Sequence, residues 1–362
     1  MQTVMRTILH DRHVNLGAKL VEFCGWEMPI QYSSVIEEHN AVRSGVGIFD
    51  VSHMGRVEVS GPQAEEFLDY LSTNKISGKK DCTATYTVWP NENGGTVDDC
   101  IVYRRSAEDF FVVVNAGNRD KDLAHMKKYA KNFDVQVKDY YEKDGILAVQ
   151  GPKSLELMAQ IFPEIDDLKF MRFADLEYKG KAVIVARAGY TGEAGVEIYA
   201  ENHVIAELWD KILDLGQPFD IRPIGLAARD TLRLEMGFAL YGHELTDDIA
   251  AIESVSAWTV RFAKGPFVGS EAMQKLEASG SKRQQIGLEI LDRGIAREGA
   301  ELFFENEKIG WITSGTQAPS LSKAIAIAIS SKSLEEGATV EVQVRKRALK
   351  ARVCKIPFYS NK

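Results

Sequence analysis

Two adjacent acids, Asp98 and Asp99, end the string Gly94-Gly95-Thr96-Val97-Asp98-Asp99 and open the apolar run Cys100-Ile101-Val102. A carboxylate at the edge of a buried strand meets apolar surroundings, which lift its pKa toward the range useful for proton transfer. Neighbouring side chains on a strand point to opposite faces. One acid can therefore face a core-side pocket while the other caps a turn or meets solvent. The same string also fits a hairpin whose Gly pair sets the bend and whose Asp residues bond backbone N–H groups.

A second pattern is Gly189-Tyr190-Thr191-Gly192-Glu193-Ala194-Gly195-Val196-Glu197. Its glycines permit close backbone approach or positive φ. It lacks the glycine order of a dinucleotide fingerprint and the Gly-Lys-Ser/Thr of a phosphate loop. What remains is an aromatic, a hydroxyl and two carboxylates around a turn, and Glu197, opening a strand, is the acid expected to point inward. A plain glycine-rich hairpin fits the string as well. A third pattern is Phe49-Asp50-Val51-Ser52-His53-Met54. Asp50 and His53 fit a base and its orienter or a structural Asp–His hydrogen bond, and no Ser or Cys nucleophile motif accompanies them. Met54 offers an adaptable apolar surface for a planar ligand, or core.

The elements that must carry these residues show an internal echo. Val59-Ser60-Gly61-Pro62 runs into Ala64, Phe67, Leu68 and Leu71 at helical spacing. About ninety residues on, Val149-Gln150-Gly151-Pro152 runs into Leu155, Met158, Ala159 and Phe162. Each strand ends at Gly, and Pro is expected at the first helical position. Strands are expected near 84–89, 96–103 and 110–115 with a helix over 119–130. After the second echo they are expected near 175–179, 182–188 and 195–199, with a helix over 203–215. Two βαβββα units imply paired α+β halves, each a mostly antiparallel sheet with helices on one face. The loops 94–99 and 189–197 are expected at comparable places in the two halves, facing one cleft.

Ser34-Val35-Ile36-Glu37 reads as a capping box opening a short helix through Val42. Residues 224–236 form a helix that is apolar on most sides yet carries Arg229, Asp230, Arg233 and Glu235, and buried charges must be paired or used. A polar linker, Ser279-Gly280-Ser281-Lys282-Arg283, precedes a β-rich end with strands near 286–291, 309–313, 324–329 and 339–344. That end suggests a small barrel or sandwich of about eighty residues. The divisions expected are 1–140, 141–278 and 279–362. The basic run Arg345, Lys346, Arg347, Lys350, Arg352 reads as a solvated hairpin edge, or as a patch steering an acidic partner.

At 362 residues the chain is long enough for roughly two or three domains. Its net charge of −8 argues against a binder dominated by phosphate neutralisation, hence no nucleic acid. Cys24, Cys82, Cys100 and Cys354 form no close pair and read as a reduced, intracellular set. The histidines give no metal-ligand spacing. No apolar run reaches the length of a membrane span and no signal-peptide core is evident, so the expectation is a cytoplasmic protein with no metal and no membrane attachment.

Taken in order, Gly25-Trp26…Pro29, Phe49 to Met54, Gly94-Gly95-x-x-Asp98-Asp99, Gly189 to Glu197 and Ala228-Arg229-Asp230-x-Leu232-Arg233-Leu234-Glu235 resemble the aminomethyltransferase family, the T-proteins of the glycine cleavage system. The likeness runs through Lys355-Ile356-Pro357-Phe358. It implies transfer of a one-carbon unit from an aminomethyl group on the lipoyl arm of a carrier, the H-protein, to tetrahydrofolate. The products would be methylenetetrahydrofolate, ammonia and the dihydrolipoyl carrier. It further implies a cloverleaf of two α+β halves and a C-terminal β-barrel or jelly-roll-like domain around a central folate cavity, with no flavin and no nicotinamide.

Carried over by position, the family's catalytic carboxylate matches Asp99, with Asp98 as its turn-side partner, although the two are exchangeable at this level. Glu197 and Arg229 match the family's substrate-binding acid and base. Arg229 is free to pair with Glu197, the pterin carbonyl or the folate carboxylates. Asn115 is a polar contact, and Tyr86, Tyr103 and Tyr190 supply flat walls for the pterin and benzoyl rings or serve as core aromatics. Non-enzymatic folate modules share the fold. Those of iron–sulfur maturation carry Lys-Gly-Cys-Tyr-x-Gly-Gln, whereas this chain has Arg187-Ala188-Gly189-Tyr190-Thr191-Gly192-Glu193, without the Cys and the Gln. The flavin-linked folate oxidases would need a dinucleotide fingerprint, and the tRNA-modifying relatives a P-loop; neither motif is present.

Overall fold

The computed structural model describes residues 4–140, 142–280 and 283–360. Ser281 and Lys282 of the expected linker lie outside the described residues. Packing divides the chain into two compact units that do not follow chain order. The first comprises residues 1–67, 76–86 and 100–230; the second comprises 68–75, 87–99 and 231–362.

The echo in the sequence is an echo in topology. One sheet runs Thr83–Pro90, Thr96–Arg104, Asp109–Val114, Gly55–Ser60, Gln136–Asp139 in spatial order. The other runs Phe173–Tyr178, Lys181–Ala186, Gly195–Glu201, Asp144–Gln150, Gly47–Asp50, Arg222–Pro223. In both, the strand before the Gly-Pro turn lies beside the last of the three strands that follow the helix. Two expectations fail here. Pro62 and Pro152 sit in the turn, two residues ahead of the helices Ala64–Leu71 and Ser154–Ala159, because Gly61 and Gly151 each accept an i+3 hydrogen bond first. The two informative loops are also not equivalent. Residues 91–95 join the first and second strands of their trio, whereas residues 187–194 join the second and third.

Apolar residues of the six-stranded sheet, among them Ile48, Leu147, Val149, Val185, Val196 and Ile198, pack under the helices Ser154–Ala159 and Asn202–Leu215 to form the core of the first unit. The Val35–Ser44 helix starts where the Ser34 side chain accepts the Glu37 N–H at 3.3 Å.

In the second unit six strands close a barrel, Gln284–Ile290 pairing on one side with Lys323–Ser330 and on the other with Arg347–Cys354. Inward Ile, Leu, Val and Ala alternate with exposed polar residues, which is how a small barrel fills its interior. The basic run is consequently not an edge. Arg347–Cys354 is bonded on both flanks, and only the 345–346 turn and the outward faces are solvated.

Candidate functional site

Glu197 is the third residue of strand Gly195–Glu201, paired with Ala148 on one side and Ala186 on the other. Its Oε2 accepts a hydrogen bond from the Tyr199 hydroxyl at 2.6 Å and from the Tyr103 hydroxyl at 3.3 Å, and the two hydroxyls lie 2.8 Å apart. Tyr103 and Tyr199 come from strands of different sheets, and their rings are fixed by aromatic neighbours. Tyr103 stacks on Phe111 with centroids 4.3 Å apart, and Phe173 meets both edge-on at 5.5 Å. Burial, reinforced by the charge of Glu197, holds both phenols well above their ordinary pKa, so both stay protonated and donate.

The carboxylate is thus oriented through one oxygen. Its other oxygen, Oε1, receives no hydrogen bond among the described residues. Arg229, on helix Leu226–Glu235, lies with its guanidinium 4.6 Å from the Tyr190 ring centroid, a cation–π contact. Burial pulls its pKa down, outweighing the opposing charge of Glu197. Among the described residues it forms no ion pair within 4.0 Å. A half-buried acid and a half-buried base therefore stand near one another, each with hydrogen-bonding capacity uncommitted.

The glycine loop beside them is rigid. The Gln150 side chain lies flat beneath it and donates to Ala188 O at 3.0 Å, while Thr191 Oγ1 donates to Gln150 Oε1 at 3.0 Å. A Cβ at Gly189 would come 1.9 Å from Gln150 Oε1, and one at Gly195 2.4 Å from Gln150 Nε2, so glycine is required for the amide to fit. Arg43 locks the turn from outside, donating to Thr191 O at 2.7 Å and Glu193 Oε1 at 2.9 Å. Glu193 is therefore structural.

Asp50 does not pair with His53. Its Oδ2 accepts from Thr7 Oγ1 at 2.6 Å and meets His13 Nε2 at 2.9 Å, while the Tyr32 hydroxyl reaches His13 Nδ1 at 2.9 Å. Burial works to raise the Asp50 pKa, but His13, Ser52 and Thr7 overcome it and hold the acid ionised. His53 is 4% exposed, and its Nδ1 has no hydrogen-bond partner among the described residues. Burial dominates its titration; Asp50 opposes and Arg229 adds, leaving its pKa lowered from 6.5 to about 4. In the unfolded chain this imidazole takes up a proton below about 6.5. The unfolded state then binds more protons than the folded one, so stability falls as pH drops from 6.5 toward 4. His53→Phe is expected to flatten that slope in urea titrations across the window, and an unchanged slope would show that the imidazole is not shielded.

Of the other expected residues, Met54, Tyr86, Tyr190 and Asn115 are half-buried in the first unit. Asn115 caps the turn Ala116–Asn118 with its carbonyl. Tyr103 is wholly buried against Phe111 and gives its hydroxyl rather than a flat wall. Tyr199, absent from the expected set, is the closer partner of Glu197; its i+2 spacing on the same strand face was the available signal.

Asp98 and Asp99 belong to the second unit, inside strand Thr96–Arg104. The turn before them is built by Asn91, whose Oδ1 accepts the N–H of Asn93 at 2.9 Å and of Gly95 at 3.1 Å. Gly94 takes φ +89°, and a Cβ on Gly95 would strike Asp247 O at 1.7 Å. Asp98 is accordingly not a turn-side acid. It is 0% exposed, and Asp99 on the opposite strand face is half-buried.

The chain matches the GCVT N-terminal domain over residues 9–264 and the glycine cleavage T-protein C-terminal barrel domain over residues 283–360. The chain belongs to the aminomethyltransferase family of glycine cleavage T-proteins. An aminomethyltransferase of Halalkalibacterium halodurans is 43% identical over 362 residues, spanning 99% of each chain. One from Bacillus subtilis is 42% identical over 358 residues, spanning 98% of this chain and 99% of that one. The crystal structure of glycine cleavage system aminomethyltransferase T from Bartonella henselae superimposes with a TM-score of 0.92 at 33% identity, over 98% of both chains. The α+β architecture ending in a closed barrel is the fold of this family, and membership does not favour a non-enzymatic folate module. Among the described residues no group of His, Cys, Asp and Glu is placed to hold a metal, and no helix is long and apolar enough to cross a membrane.

Proposed function

We propose that this transferase moves the one-carbon unit of an aminomethyl group, carried by sulfur on a lipoylated H-protein, to tetrahydrofolate. The observation that carries the reading is the uncommitted pair, Glu197 Oε1 and the Arg229 guanidinium. Charges at this depth without an ion-pair partner among the described residues call for a ligand of opposite pattern. A reduced pterin presents N–H donors and a carbonyl acceptor side by side. Glu197, steadied by Tyr103 and Tyr199, accepts the N–H groups through charge-assisted bonds, and Arg229 donates to an acceptor. Tyr190 and Met54 provide flat or adaptable apolar surface.

In the reaction a C–N and a C–S bond break, and two C–N bonds form on the folate. The two protons leaving the folate nitrogens match those gained by the departing ammonia and by the thiol. Asp99 accepts a proton from the reacting amine and stabilises the cationic, iminium-like carbon. Its partial exposure beside the fully covered Asp98 supports Asp99 as the accessible acid of the two.

The direct test is ammonia release from aminomethylated carrier in the presence of tetrahydrofolate; absence of release would defeat the reading. Glu197→Ala and Arg229→Ala are each expected to weaken tetrahydrofolate binding by about ten- to a hundredfold, since each removes a hydrogen bond to a charged group. Their melting temperatures should stay near wild type. Unchanged calorimetric affinity with a collapsed melting temperature would instead make both residues structural.

A further inference from the structure

His53 stands on a loop that the fold holds still. Val51 N–H donates to Ile146 O at 3.0 Å, Ser52 N–H donates to Asp50 Oδ1 at 2.9 Å, and Ile146 N–H donates to Ser52 Oγ at 2.9 Å. Those backbone groups are engaged, whereas the buried Nδ1 of the imidazole has no hydrogen-bond partner among the described residues. A buried ring nitrogen left unpaired by its own protein is uncommon and calls for a cause.

The surroundings point to a ligand. The tip of the hairpin formed by Lys19–Phe23 and Trp26–Gln31 reaches this loop, Phe23 meeting the imidazole edge-on with centroids 5.6 Å apart. The next residue, Cys24, packs on the Gly117 backbone, two residues past Asn115; a Cβ there would lie 3.2 Å from its sulfur. Met54 follows directly in sequence, and the positive charge of Arg229 acts on the ring. His53 thus adjoins Met54 in the chain and feels the charge of Arg229, two residues read above as ligand contacts, and its buried Nδ1 has no partner among the described residues.

We infer that His53 is a ligand-binding residue whose unpaired Nδ1 hydrogen-bonds the polar edge of the reduced pterin ring. The inference rests on the tetrahydrofolate reading and adds to it a contact that none of the sequence motifs assigned. A neutral imidazole suits a pterin edge because it can give or take one hydrogen bond without placing a second cation beside Arg229.

His53→Phe keeps the ring and removes its polar atoms, whereas His53→Asn keeps a polar atom near the position of Nδ1. The former is expected to raise the calorimetric Kd for tetrahydrofolate and the KM about tenfold with kcat little changed, and the latter to recover part of the loss. A purely structural imidazole would give equal affinity in His53→Phe, and that result overturns the inference alone. In the wild-type chain, the 15N resonance of His53 Nδ1 should shift on saturation with tetrahydrofolate; a stationary resonance in a protein that binds normally also overturns it. Failure of the wild type itself to bind would remove the parent reading and this inference together.

Discussion

Asp99→Asn should abolish aminomethyl transfer while tetrahydrofolate still binds. The amide has the shape of the acid but cannot take up a proton, so the loss falls on the chemical step, by about 10²–10⁴-fold for a general base. Asp98 offers no substitute: it is fully buried, and on a strand its side chain leaves from the opposite face. Two measurements decide the matter: ammonia release with aminomethylated carrier, and calorimetric titration with tetrahydrofolate. Full turnover in the variant would remove Asp99 as the base. Loss of both binding and turnover would move its role to recognition.

The second large effect is on folding. Arg233 is 2% exposed and donates to Glu244 Oε2 at 2.8 Å, to Phe238 O at 3.1 Å and to Ser314 Oγ at 2.9 Å. Glu244 in turn accepts the Thr313 hydroxyl at 2.6 Å and the Leu240 N–H at 3.1 Å. This network ties the end of helix Leu226–Glu235 to strand Glu307–Ala318 of the barrel. Arg233→Met would leave an uncompensated carboxylate at full burial, a loss of about 3–5 kcal/mol. Adding Glu244→Gln removes the stranded charge but keeps an acceptor, so the double variant should recover much of the loss in urea denaturation. A single-variant loss within the ordinary range of surface substitutions would refute the network.

Arg233 also shows what a sequence discloses. Four charges in an apolar helix announced that each had to be paired or used, but only distant residues decided which. Arg233 met Glu244 and the barrel, Glu235 took the Ser320 N–H at 2.9 Å, and the Arg229 guanidinium faced the Tyr190 ring. Strands and helices were legible because alternation, Gly-Pro turns and the Ser34 cap act over a few residues. The residues left barrel and sandwich both open, since Gln284–Ile290 finds Arg347–Cys354 across the whole domain, and the barrel or jelly-roll-like end came from the resemblance. The same limit hid the true partner of Asp50. His53 was the near candidate in sequence, yet His13, thirty-seven residues away, reaches it. The turn ahead of Asp98 misled for a local reason: Asn91 supplied the acceptor that an Asp was expected to supply.

The interleaving of the two compact units bears on how this protein comes into being. Residues 68–75 and 87–99 leave the ribosome early, but they pack with a body whose remainder starts at residue 231. Those early stretches, Asp99 among them, pair with neighbouring strands made alongside them but wait through more than a hundred residues of further synthesis before the rest of their unit exists. Domains that are contiguous in sequence can settle one after another as they emerge; here the acid assigned to chemistry belongs to the portion completed last. A translation product ending before residue 231 would accordingly hold Asp99 in its sheet without the later body that completes its unit.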